Sequence, residues 1–243
     1  MVTTTGLLEN RLRFDAQQQH AGNGARTTVL DGGRGLDLIV GETEEIQIGA
    51  PPYEIRDIRS NSSSTVEASG FGDWPFLRLE QRLASSPENG ENYVVTTWLQ
   101  IQAPTGEAPF TNRAWIISPT LAFGKGWGDF DIQGTITSAL PASHSDTLGH
   151  PVQTNLAFQY HVDSVFWPEV ETTWTYYPDG TRGGLSQLFL TLGLVIGRFA
   201  LADDVLFTFG GGYQIALAPA YRAKPLTPAY DRAWLLTLRL NFK

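Results

Sequence analysis

Near the start of the chain, ionisable side chains occupy alternate positions: Glu9, Arg11, Arg13 and Asp15. Leu8, Leu12, Phe14 and Ala16 stand on the other phase. Successive side chains of an extended chain point to opposite faces, so four ions share one face and an apolar stripe covers the other. The end of the chain repeats the arrangement. Trp234, Leu236, Leu238, Leu240 and Phe242 form one set, and Leu235, Thr237, Arg239 and Asn241 the other. Ions in such a row can pair with one another, or line a wet path and act on a solute through their charge. A cation in mid-strand, opposite a continuous apolar stripe, suits a wall with lipid on one side and water on the other.

Other residues fall on the same inward phase of their own segments. Arg78, Glu80 and Arg82 lie on one segment, Asp131 and His161 on two later ones, and Glu169 and Glu171 on a third. A charge on the lipid face at mid-depth costs roughly 2–4 kcal/mol, which directs these side chains inward. Arg11, Arg13, Arg78, Arg82 and Arg239 then form a basic wall, and Asp131, Glu169 and Glu171 an acidic one. Such a division sets a field across the bore able to orient a polar solute. Trp98 and Phe189 share the phase and offer an aromatic surface to a solute, or simply pack. The alternative for the charges is mutual pairing that fills a closed barrel.

The elements that must position these residues follow from a period of two along the chain. It marks about twelve strands, each near the 9–11 residues that a tilted membrane strand needs. The spans are 6–18, 34–41, 45–56, 73–84, 91–103, 113–124, 128–140, 152–162, 166–177, 186–199, 205–218 and 231–243. Tight links (Glu42 to Glu44, Gly124 to Trp127, Asp163 to Val165, Ala202 to Asp204, and the short Ser85 to Gly90) alternate with longer polar ones. The longer links are Gln18 to Gly33, Asp57 to Gly72, Pro104 to Asn112, Pro141 to Pro151, Pro178 to Leu185 and Pro219 to Tyr230. The segment Arg59 to Thr65 is rich in serine and reads as a mobile loop. Short turns at one end and long loops at the other characterise membrane barrels, and an even strand count puts both termini at the short-turn, periplasmic side. Aromatic residues gather near strand ends, among them Trp115, Trp127, Phe166, Trp167, Tyr177 and Trp234. Interfacial girdles have this distribution.

The expected fold is therefore all-β: a closed antiparallel up-and-down transmembrane β-barrel of about 12 strands, one domain over residues 1–243. Composition agrees. Charged residues are only 17% of the chain, below the usual quarter, and hydrophobic ones 42%. No run approaches the roughly 18 apolar residues of a spanning helix, so a membrane form must be a barrel. The net charge of −8 argues against a nucleic-acid partner. With no cysteine there is neither a disulfide framework nor a thiolate metal site. Met1 is followed directly by Val-Thr-Thr-Thr, with no signal peptide. A secreted barrel needs one, so the expectation is a trimmed or mature sequence; the alternative is a protein never exported.

Enzymatic signals are weak. Ser143-His144-Ser145-Asp146 and His150 lie close together, but in an external loop, whereas a triad needs partners fixed within hydrogen-bond reach. Two histidines and one aspartate there are thin support for a metal. Gly210-Gly211-Gly212 has no following lysine or helix and is no phosphate loop; it leaves room for a neighbouring side chain or a bend in the wall.

Several local patterns resemble the outer-membrane family labelled for the meta pathway of phenol degradation. They are Leu7-Leu8-Glu9-Asn10, Leu38-Ile39-Val40-Gly41 with the following Glu42 to Ile48, Gly70-Phe71-Gly72-Asp73, and Ile101-Gln102-Ala103-Pro104-Thr105-Gly106-Glu107. The resemblance implies a channel-like barrel carrying small molecules, with no catalytic residues. The chain departs from the pattern at Trp74-Pro75, and since proline cannot donate to a ladder, that strand is expected to begin at or after Pro75.

Together these features predict a passive, porin-like outer-membrane channel, with lipid outside and a small, aromatic or weakly acidic solute inside. It is no enzyme and needs no cofactor or metal. One alternative is a structural or adhesive barrel with a filled lumen and partner-binding loops. Another is a phospholipase-like membrane enzyme. The oligomeric state is not encoded legibly.

Overall fold

The computed structural model describes residues 6–22, 24–32, 34–59, 65–87, 89–218 and 230–243. Its strands are β1 (Arg11–His20), β2 (Arg26–Leu30), β3 (Gly35–Ile39), β4 (Glu44–Gly49), β5 (Tyr53–Arg59), β6 (Thr65–Phe71), β7 (Trp74–Ser86) and β8 (Tyr93–Ala103). There follow β9 (Ile116–Trp127), β10 (Phe130–Ser138), the two-residue β11 (Leu140–Pro141), a one-turn helix α1 (Ser145–Leu148), β12 (Val152–Tyr160) and β13 (Phe166–Tyr177). The chain ends with β14 (Leu185–Ala202), β15 (Val205–Ala218) and β16 (Arg232–Phe242).

All pairings are antiparallel, and the sheet closes into a barrel of twelve strands. Closure is the ladder between β1 and β16, which runs from Arg11 opposite Asn241 to His20 opposite Arg232. One line is β10 continued by β11 along β9 in the same register, and three further lines of the twelve are interrupted. β1 pairs with β3 at Arg11 and Leu12, then with β2 from Ala16 to His20, so β2 and β3 form one line. β4 with β5, and β6 with β7, continue in the same way, because β2 pairs β5 and β5 pairs β6 above the β3–β4–β7 ladders.

Each interruption has a local cause. Asp31 and Gly35 have φ of 57° and 153°, outside the extended region, and at Gly35 a side chain would strike the carbonyl of Ile48. Pro51 and Pro52 separate β4 from β5 and can donate nothing to a ladder. Gly72 and Asp73 separate β6 from β7, where the Asp73 carboxylate accepts the amides of Gly106 and Asn112 at 3.0 and 2.7 Å.

Two expected loops prove to be largely strand. The links 18–33 and 57–72 are occupied by β2 and by parts of β1, β5 and β6, which extend the wall as hairpins. Their sequences, such as Gln17-Gln18-Gln19-His20, carry no apolar stripe, but a ladder needs only backbone partners. The first strand begins at Arg11, five residues later than its apolar pattern suggested. β7 begins at Trp74, with Pro75 held in a register break between Trp74 and Leu77. The serine-rich residues 60–64 lie outside the described residues.

Burial is inverted relative to a water-soluble protein. Leu192, Leu236 and Trp234 are 55%, 45% and 59% exposed, whereas Arg11 and Glu171 are 1% and 0% exposed. Ile117, Leu121 and Leu194 also face outward. Apolar exposure over so wide a belt is unusual for a monomer in water. Outward aromatics form two rings: Trp127, Tyr160 and Phe166 at the tight-turn end, and Trp115, Trp174, Tyr176 and Trp234 at the long-link end. Trp167 and Tyr177 are exceptions to the expected girdle. Their phase turns them inward, where Arg198 lies over Trp167 at 5.4 Å and Arg182 over Tyr177 at 5.3 Å.

Candidate functional site: the bore

The interior is built from the inward phase of every wall strand. Arg11, Arg13, Glu45, Glu171, Gln187 and Gln214 are among its largest fully buried side chains. Buried ions persist only when paired and hydrogen-bonded, and here the pairs are dense. Asp37 on β3 accepts Nε and a terminal nitrogen of Arg11 at 2.9 and 2.7 Å, and the amide of Gln47 at 2.6 Å. Arg11 also reaches Glu9 at 2.9 Å. Arg78 donates to Glu45 at 3.0 Å and Asp37 at 3.5 Å, lies 3.2 Å from Glu80 as an ion pair, and covers the Trp98 ring with its guanidinium at 5.2 Å. Arg13 and Arg34 share Asp15, each at 2.8 Å.

The expected basic wall is thereby corrected. Asp37 and Glu45 sit among the arginines, and with Glu9, Asp15 and Glu80 they neutralise them. Across the bore, Glu169 and Glu171 are buried on β13, and Asp131 holds His161 at 3.0 Å. Arg239 is half-buried beside them, and among the described residues its Nε has no hydrogen-bond partner. Arg82 stands at the tight-turn mouth, where it donates to the Glu42 carbonyl at 2.6 Å. Glu9, Arg11, Arg78, Glu80 and Trp98 thus form one connected group with Asp37 and Glu45, and Arg13, Asp15 and Arg34 form a second. Asp131, His161, Glu169, Glu171 and Arg239 line a cavity to which Glu9 and Arg13 also contribute.

This polar layer divides the bore. Toward the long links lie cavities of about 480 and 340 Å³, which share Gly32, Arg34 and Gln153 in their lining. Toward the tight turns lie cavities of about 320 and 770 Å³, sharing Leu7, Asp131, Gln133, His161 and Arg198. Among the described residues none lines both an upper and a lower cavity. The segment preceding β1 adds to the division. Gly6 is buried, its carbonyl accepts the Thr96 hydroxyl of β8 at 2.6 Å, and the Glu9 amide donates to Glu45 at 2.7 Å.

Sequence reasoning missed Asp37, Glu45 and Gln47, although the signal was present. Asp37 lies between Leu36 and Leu38, and Glu45 and Gln47 alternate with Ile46 and Ile48. The acidic run from Glu42 to Glu45 reads as a turn and hides the phase. Gly210 gives the room expected of it, since a side chain there would press on the Leu194 carbonyl and the Thr237 methyl.

The loop histidines do not assemble a triad. Nδ1 of His150 pairs with Asp179 of the next long link at 2.7 Å, and no hydrogen bond joins His144 or His150 to Ser143 or Ser145 among the described residues. Nor do the described residues hold a group of three side chains able to bind a metal ion.

The fold is similar to that of an outer-membrane channel from Pseudomonas putida F1, with a TM-score of 0.58 and 12% identity over 97% of this chain and 96% of that one. It is also similar to the NanC porin, with a TM-score of 0.53 and 10% identity over 95% and 99% of the two chains. The transport unit of the autotransporter AIDA-I from Escherichia coli gives 0.51 and 13% over 96% and 89%. No protein-family model matches the sequence, and a search of curated proteins finds no match. At such identities the likeness is one of fold.

Proposed function

We propose that this protein is a passive outer-membrane channel for small solutes, working by diffusion without a covalent step. The observation that carries the reading is the inversion itself: a polar, hydrogen-bonded bore with cavities toward both ends, inside a wall whose outer belt is apolar and ringed by aromatics. Similarity of fold to an outer-membrane channel and a porin supports it. The sequence patterns resembling the family of the phenol meta pathway point the same way. The expected preference for weakly acidic solutes loses its basis, because carboxylates already occupy the arginines.

The Arg–carboxylate layer favours a second reading, a barrel whose filled lumen is structural and whose external loops bind a partner. Planar-bilayer recordings separate the two. Discrete conductance steps support the channel, and a silent, fully folded barrel supports the filled one. Assays of phospholipid hydrolysis test the enzymatic alternative, and turnover abolished by Ser143→Ala or Ser145→Ala would revive it.

A further inference from the structure

The two ends of the bore differ in chemistry. The lower cavities are lined by charges, among them Asp131, Glu169, Glu171, Arg198 and Arg239. The upper pair is lined mainly by amides and hydroxyls: Gln100, Thr120 and Asn155 on one side, Thr173, Gln187 and Gln214 on the other. The upper charges are spoken for. Arg34 pairs with Asp15 at 2.8 Å, Arg78 with Glu45 at 3.0 Å and Glu54 with Arg56 at 3.3 Å, while Asp73 accepts two backbone amides.

One wall of the upper cavity is built with unusual care. Tyr230 donates its hydroxyl proton to Gln214 at 2.8 Å and accepts from Gln17 at 3.1 Å, and Gln214 in turn donates to Thr191 at 3.0 Å. These bonds hold the Tyr230 ring stacked on Phe189, with centroids 4.9 Å apart and planes 28° apart. Two positions from Phe189 on β14 stands Gln187, 1% exposed, with neither its amide nitrogen nor its amide oxygen partnered among the described residues. The hydroxyl of Thr173, on the neighbouring β13 directly opposite Phe189, is likewise unpartnered among the described residues. Buried polar groups are nearly always satisfied by protein, water or ligand, so both a donor and an acceptor here await a partner.

We infer that the upper cavity is a binding subsite for a neutral, polyhydroxyl solute of saccharide type, held by Gln187 and Thr173 beside the Phe189–Tyr230 pair. Hydroxyls donate and accept at once, as a primary amide requires. An anion finds its possible cations already neutralised, and a purely apolar solute would leave Gln187 unpaired. A cavity of about 340 Å³ falls in the range of small-molecule sites. The inference rests on the channel reading for its purpose but not for its test.

The test is calorimetric titration of the whole, detergent-solubilised protein with glucose, maltose and sucrose, against benzoate and phenol. At least one saccharide is expected to bind saturably in the millimolar range, with an affinity unchanged by salt. Gln187→Leu, close in size, should weaken it tenfold or more. If that variant loses the compact migration of a folded barrel, Thr173→Val, nearly isosteric, is read instead and should weaken binding several-fold. Absence of binding by all three saccharides overturns the proposal. So does tighter, salt-sensitive binding of benzoate, or saccharide binding indifferent to the variant read. Saccharide binding to a protein silent in bilayers would refute the channel and uphold the subsite.

Discussion

Asp37 joins two arginines and a glutamine at the middle of the bore, fully buried, on a strand of five residues. Replacing it by leucine keeps the volume roughly but leaves Arg11 and Arg78 short of charge. Losing one partner of a buried ion pair costs about 3–5 kcal/mol, and the urea midpoint of the vesicle-embedded barrel should fall accordingly. An unchanged midpoint would mean that water in the bore replaces the carboxylate. The exposed pair between His150 and Asp179 behaves differently. The hydrogen bonds from the His150 ring and backbone amide hold the Asp179 carboxyl below its ordinary value. A depressed carboxylate stabilises the folded contact above its unfolded value of about 3.9 and loses that contribution as pH falls through the folded one. Protection of the His150 amide from exchange should therefore be constant through mild acid and drop only below the ordinary carboxylate range. Asp179→Asn should lower it several-fold and flatten the pH response.

At the scale of elements, each strand carries two surfaces that tolerate opposite changes. On β9, Leu121 is 48% exposed on the outer belt, while Gln133 on the adjacent β10 lines the lower cavities. Leu121→Arg is expected to oppose insertion by roughly 2–4 kcal/mol, seen as a lower yield of folded barrel in lipid vesicles. Gln133→Arg should fold like the parent, since its new charge meets water and Asp131. Equal yields from the two variants would show that the outer belt does not meet lipid.

For the whole molecule, closure and electrostatics each make a prediction. The β1–β16 ladder is the seam of the barrel, so removing residues 232–243 should abolish heat-modifiable compact migration altogether. A barrel short by one strand exposes two edges that lipid cannot satisfy. A compact eleven-stranded product would contradict this. In the intact barrel, Arg239 faces a cavity that also holds Glu169 and Glu171. Arg239→Glu should shift the reversal potential toward cation selectivity at low salt. The shift should shrink as the Debye length falls toward about 3 Å at 1 M salt. Unchanged reversal potentials would make Arg239 structural rather than part of the ion path.

The period of two, written in Trp234 to Phe242 and repeated through the chain, determined the strands and the outward face of most of them. It sufficed because lipid demands an unbroken apolar stripe on alternate residues, and the tight and long links then set the count and the order. The hairpins of β2, β5 and β6 were not legible, since beyond the apolar belt a ladder needs only backbone partners. Side-chain pairing across strands was decided by tertiary structure alone. The phase of Arg11 says that it points inward, but only the curvature and stagger of the closed sheet bring it to Asp37, and Arg78 to Glu45. The same closure turned an expected basic wall into a network of ion pairs, and set Gln187 and Thr173 together on one side of an upper cavity.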